Sequence, residues 1–291
     1  MRSDEGVRLG VRVAFRFVRG LERLLPPQSL YHLLAPVISA RVAFKRTRPS
    51  LPLPACLGRG NFQITKKRRR NDFLNATLEF FPDKLATAKW LPRLEIDGRE
   101  YLESALLQKR PVMLAFSHFG PYELLRCWLR AAGFPVAMMV AGSSQNRSGR
   151  RRLQDRVSPF PEIPIALYRE DQLRESIDFV NAGHPLLIAI DVLNNKKMDV
   201  PVDADWQCGM ATGAFRLARR AGAVLIPCSV VDVGHWNFRI TLSPPVPAEL
   251  LAAGDLSSAG KYVLEAFLPA MRAHPEQASE RLIKLFQRVR Q

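Results

Sequence analysis

No run of about 18 apolar residues occurs in this chain, so the sequence encodes no obvious membrane-spanning helix. The N-terminus likewise lacks an apolar stretch ending in a small-residue cleavage site, and no secretory signal is expected. Cysteine is scarce. The four present, Cys56, Cys127, Cys208 and Cys228, show neither CxxC spacing nor a paired framework, which excludes a disulfide scaffold and fits a reducing cytoplasm. The five histidines, at 32, 118, 184, 235 and 274, are scattered, so no zinc-ligand spacing exists and no metal is expected. Acidic residues are also few, 27 against 43 Lys and Arg, which leaves a formal charge of +16 and an isoelectric point near 10.4. Such an excess favours anionic partners: nucleic acid, anionic lipid head groups or an acidic carrier. Nucleic acid is the weakest of these. No zinc finger, RRM, KH or helix-turn-helix signature is present, and the aromatics do not interleave with the basic runs as a base-stacking platform needs.

With 291 residues, 47% of them hydrophobic, the chain can bury one substantial core. Residues 1–45 are expected to form amphipathic, membrane-associating helices. Arg8, Arg12, Arg16, Arg19 and Arg23 recur at helical spacing and fall within an arc of roughly 80°. Leu9, Val11, Val13, Phe17, Val18 and Leu24 supply the apolar surface. A helix of this kind suits a bilayer interface, with guanidinium groups among phosphates and apolar groups among acyl chains. Residues 46–60, with Pro49, Pro52, Pro54, Gly58 and Gly60, read as a linker, and 61–291 as the main domain. The run Lys66 to Arg70 falls on a helix, with a solvated face and a docking role both open.

Beyond Leu94 short apolar runs alternate with helical stretches. Strands are expected at 111–117, 135–140, 163–167, 186–191, 223–229 and 236–242, and helices near 122–132, 146–157, 170–182, 210–221 and 276–289. This rhythm predicts an α/β fold with a mixed or mostly parallel central sheet flanked by helices.

The most informative stretch is Ser117-His118-Phe119-Gly120-Pro121-Tyr122-Glu123, directly after the apolar run Val112 to Phe116. Gly-Pro breaks the strand, so His118 emerges at a strand end. Glu123, in the first turn of the next helix, is placed to fold back onto the imidazole, fix its tautomer and favour the imidazolium. A Ser117 nucleophile is disfavoured, because a strand neighbour points to the opposite face from His118 and Gly-x-Ser-x-Gly is absent.

The pattern His-Phe-Gly-x-x-Glu resembles the bacterial lipid A late acyltransferase family, within the larger group of glycerolipid and sugar acyltransferases that use His-x4-Asp/Glu. The strand Pro185 to Asp191, the block Gly209 to Pro227 and the segment Arg272-Ala273-His274-Pro275-Glu276-Gln277 resemble further family motifs in order. Two departures stand out: Ala278-Ser279-Glu280 where the family has tryptophans, and the polar Val202 to Cys208 where it tends to Phe and Gly.

The resemblance implies a glycerolipid-acyltransferase-like fold and transfer of a fatty acyl group from an acyl thioester, of acyl carrier protein or CoA, to a hydroxyl of a lipid acceptor. A lipid A-type glycolipid is the first candidate; a lysophospholipid, another glycolipid or a hydroxylated secondary metabolite are alternatives. No cofactor is implied. His118 would be the general base and Glu123 its orienting partner, at the cytoplasmic face of the inner membrane. Arg156 matches the position of a family arginine that serves the site. Asp191, ending an apolar strand, is open between a structural ion pair and substrate positioning. Thr212 and Gly213 are open between binding an anion at a helix start and allowing close helix–sheet packing. The aromatic segment Phe73 to Phe81 is a candidate wall of an acyl tunnel.

Overall fold

The computed structural model describes residues 25, 28–29, 31–33, 53–58, 66–80, 93–141, 162–165, 170–192 and 196–289. The arginine stripe, most of the linker, the helix expected at 146–157 and Arg156 lie outside them. The chain divides into two compact units, 1–49 with 145–157 and 50–144 with 158–291. The second unit carries both β-sheets.

Its elements are α1 (Lys66–Phe80), β1 (Leu94–Asp97), α2 (Arg99–Leu107), β2 (Val112–Phe116), α3 (Glu123–Ala131), β3 (Ala137–Ala141), β4 (Glu162–Ile165), α4 (Glu170–Asn181), β5 (Leu186–Ala189), β6 (Lys197–Pro201), β7 (Trp206–Ala211), α5 (Gly213–Ala221), β8 (Val224–Gly234), β9 (Asn237–Leu242), α6 (Ala248–Ala252), α7 (Ser257–Ala273), α8 (Glu280–Ile283) and β10 (Phe286–Arg288), with 3-10 turns at Ala55–Leu57 and Pro275–Gln277. A seven-stranded sheet runs in the order β1-β9-β8-β2-β5-β3-β4. All its pairings are parallel except β8 with β9, which form a hairpin. The fold is therefore α/β with a mixed, mostly parallel sheet, as expected. All five residues of β2 are buried, and β5 and β8 are nearly so, which explains why these strands read as unbroken apolar runs: helices cover both faces.

Two expectations are corrected. The helix expected at 276–289 is instead the 3-10 turn Pro275–Gln277, the one-turn helix α8 and the strand β10. Ser279 caps α8 by accepting a hydrogen bond from the Leu282 amide, 3.0 Å, and Phe286 to Arg288 pair with β7. Likewise the first residues of the expected helix 210–221 belong to β7, the centre of a second, three-stranded antiparallel sheet, β10-β7-β6. The polar segment Val202 to Cys208 contains the turn of that sheet's hairpin, where Asp203 accepts from the amides of Asp205 and Trp206, each at 2.9 Å.

The basic run of α1 is not a free charged face. Lys67 Nζ lies 3.3 Å from Glu276, Arg68 Nη1 donates to the Gln277 carbonyl at 3.0 Å, and Arg70 Nε donates to Asp232 at 2.6 Å. Three of these cations thus fasten α1 to the Pro275–Gln277 turn and to β8. No described helix is long and apolar enough to cross a membrane.

Candidate active site

Parallel pairing brings the central residues together. Phe116 ends β2 opposite Ala189, the last residue of β5. Two residues further along each chain stand His118 and Asp191, carried side by side to the carboxyl ends of the strands, where open α/β sheets bind their ligands. The Ile190 amide still donates to the Phe116 carbonyl at 2.9 Å, so the alignment persists past the strands.

Asp191 then binds His118 twice. One carboxylate oxygen accepts the His118 main-chain amide and the other meets imidazole Nδ1, both at 2.8 Å. Asp191 is 1% exposed, whereas the His118 side chain keeps 25% of its surface open. With Nδ1–H donated to the carboxylate, Nε2 carries the free lone pair, the tautomer a base needs. On another side Tyr122 meets the imidazole edge-on, ring centroids 4.9 Å apart at 72°, and itself stacks on Phe116 at 5.6 Å.

Glu123 does not make the contact expected of it. Its carboxylate is buried with Arg126, Oε2 to Nη2 2.7 Å, and the side chains are only 6% and 1% exposed. The reason is helical geometry: residues 123 and 126, three apart on α3, lie on one face. The imidazole's carboxylate partner is Asp191, whose role stood open in the sequence between a salt bridge to an arginine and substrate positioning.

Thr212 and Gly213 sit where β7 passes into α5. The Thr212 hydroxyl and amide both donate to the Lys196 carbonyl, at 3.2 and 3.0 Å, and the Ala211 amide donates to Ile190 at 2.8 Å. These contacts tie the β7–α5 junction to Ile190 and Lys196, on either side of Asp191. Ser117 is buried at 3% exposure and its hydroxyl has no hydrogen-bond partner among the described residues.

The loop after His118 rests on a buried polar assembly that sequence reasoning missed. Gln277 is fully buried; its side-chain oxygen accepts from Asn71 at 3.1 Å and from the Asp232 amide at 2.9 Å, and its nitrogen donates to the Asp232 carbonyl at 2.8 Å. Its carbonyl accepts the Gly120 amide at 3.1 Å. Next to it the Ser279 amide donates to the His118 carbonyl at 3.2 Å, and Phe119 bridges Ala278. Gly120 is the residue the packing demands, with φ +59° and a Cβ that would lie 2.0 Å from the Val230 carbonyl oxygen. The Pro-Glu-Gln resemblance was the only signal, and it carried no hint of this role.

Burial governs the thiols. It raises Cys56 to about 11, helped by the charge of Asp203. Cys208 and Cys228 are pushed up strongly by burial, Cys208 also by the negative charge of Asp191. No group of His, Cys, Asp and Glu suited to a metal ion occurs among the described residues.

A histidine based on a buried carboxylate at the strand ends, followed by Phe-Gly-x-x-Glu, is accompanied by a decisive sequence match: the profile of the bacterial lipid A biosynthesis acyltransferases fits residues 75–278. The chain belongs to the bacterial lipid A biosynthesis acyltransferase family. The match spans well over half of the chain and covers His118, Asp191 and Gln277. No curated protein matched the chain. Membership makes the protein an acyltransferase of lipid A biosynthesis, taking an acyl donor and a lipid A precursor as acceptor. The family is membrane-associated in bacteria. Membership places the chain among enzymes rather than with the nucleic-acid-binding alternative.

Proposed function

We propose that His118 is the general base of this acyltransferase and that Asp191 is the carboxylate that orients it. The observation that carries this reading is the double contact of Asp191 with the main chain and Nδ1 of His118. Nε2 takes the proton of an acceptor hydroxyl as its oxygen attacks the thioester carbonyl. The C–S bond breaks, an ester forms, and the imidazolium returns the proton to the departing thiolate. Asp191 stabilises the imidazolium in between. No covalent enzyme intermediate is needed, because a thioester is already activated. Glu123 contributes by anchoring α3 through Arg126. Thr212 ties the start of α5 to Lys196, downstream of Asp191.

The donor is the thioester of an acyl carrier protein or of CoA, and the charge of +16 suits an acidic carrier. Arg156 binds a phosphate of donor or acceptor by its bidentate geometry. The enzyme works at the cytoplasmic face of the inner membrane, held peripherally by the arginine stripe of residues 8–23.

The test is acyl transfer to a purified lipid A precursor by reconstituted enzyme, with acyl carrier protein and CoA thioesters compared. His118→Ala is expected to lose at least about a hundredfold in kcat while remaining folded. Near-normal transfer by that variant would remove His118 from the chemistry.

A further inference from the structure

Residues Gly120-Pro121-Tyr122-Glu123 form the bend between the strand-end histidine and α3. In a closed β-turn the carbonyl of the first residue accepts the amide of the fourth. Here each of those groups bonds instead to one side chain from a distant helix: Asn75 Nδ2 donates to the Gly120 carbonyl at 3.0 Å, and Asn75 Oδ1 accepts the Glu123 amide at 3.1 Å. Asn75 is buried, 9% exposed, on α1. A primary amide carries a donor and an acceptor in one plane, so Asn fits this gap, where an Asp carboxylate can only accept and Leu offers neither group. The same contact caps α3, whose own N-cap residue, Tyr122, makes no side-chain capping bond.

What depends on that turn is the imidazole. Tyr122 is its third residue and packs edge-on against His118, whose carboxylate partner comes from another strand end. We propose that Asn75 is a positioning residue for catalysis: by bridging Gly120 and Glu123 it fixes the opening of the turn, and so the Tyr122 ring that confines His118 in line with Asp191. The hydrogen bonds of Asn75 go to the turn backbone and not to the imidazole. Asn75 acts through Tyr122. The inference rests on His118 being the base, but its structural part can be tested separately.

The experiment compares full-length Asn75→Leu, which keeps the branched shape and removes both hydrogen bonds, with Asn75→Asp, which keeps only the acceptor for the Glu123 amide. Leu102→Ala on α2, away from the loop, serves as a control for general destabilisation. At a temperature where all are folded, Asn75→Leu should lower kcat by about a hundredfold, the scale of a misplacement near 1 Å, with KM for the thioester nearly unchanged. Asn75→Asp should fall between it and wild type. Leu102→Ala should lose thermal stability with kcat retained. With labelled histidine, the His118 Nδ1 proton resonance should shift or broaden in Asn75→Leu, less in Asn75→Asp and not in Leu102→Ala, and the Glu123 amide should exchange faster in Asn75→Leu. A kcat within threefold of wild type, or an unchanged His118 resonance, overturns the proposal. Should Asn75→Leu fail to fold, Asn75→Asp carries the same test, and wild-type kcat there overturns it. An active His118→Ala enzyme would refute the general-base reading, yet the resonance and exchange changes would still report the clamp.

Discussion

Asp191 holds both the amide and Nδ1 of His118, each at 2.8 Å, although 73 residues separate them in the chain. Glu123, only five residues away, faces Arg126 instead. The two carboxylates therefore meet different partners, and under the proposed mechanism their variants should behave differently.

Asp191→Asn is expected to reduce kcat by about 10²–10⁴-fold, since it loses both the fixed tautomer and the charge facing the imidazolium. Combined with His118→Ala it should add almost nothing, because residues acting as a unit are not additive. Glu123→Gln, by contrast, should lower thermal stability, and its effect on kcat should add to that of Asp191→Asn. Kinetics of the single and double variants decide this; strong coupling of Glu123 to His118 would restore it as the orienting carboxylate.

Removing the guanidinium alone, in Arg126→Met, should cost about 3–5 kcal/mol, as expected when a buried ion pair loses one partner. Adding Glu123→Gln to that variant should recover part of the loss. Urea unfolding followed by circular dichroism measures both.

Gln277→Leu leaves the Asp232 main chain and Asn71 short of hydrogen bonds inside the fold, at about 1–3 kcal/mol for each unsatisfied group. Unfolding should therefore move to markedly lower urea, and Gly120→Ala should do the same through its clash with the Val230 carbonyl. Midpoints near wild type in either variant would show that the loop can rearrange.

The thiols of the native protein should react sluggishly with Ellman's reagent at pH 8. A thiol raised to about 11, like Cys56, carries little thiolate there, and Cys208 and Cys228 are further protected by burial. Since a raised value delays ionisation, Cys56 reactivity should climb as the pH approaches 11. Unfolding should release all four thiols at once.

Features that depend on near neighbours along the chain were legible before folding. The apolar runs that became β2, β5 and β8 were visible because strands buried on both faces need no alternation. His118 was visible because Gly120 and Pro121 end its strand. The helix expected at 276–289 gave way because Phe286 to Arg288 pair with β7, and a partner strand overrides local preference. Tertiary structure alone decided which acid meets the histidine. Sequence distance favoured Glu123, five residues away; the parallel register of β2 with β5 delivered Asp191. The same holds for Asn75 and Gln277, whose amides bond to backbone groups 45 residues or more away. A side-chain amide has no periodicity to betray it, and its value arises only where the folded chain leaves a donor and an acceptor facing the same buried gap.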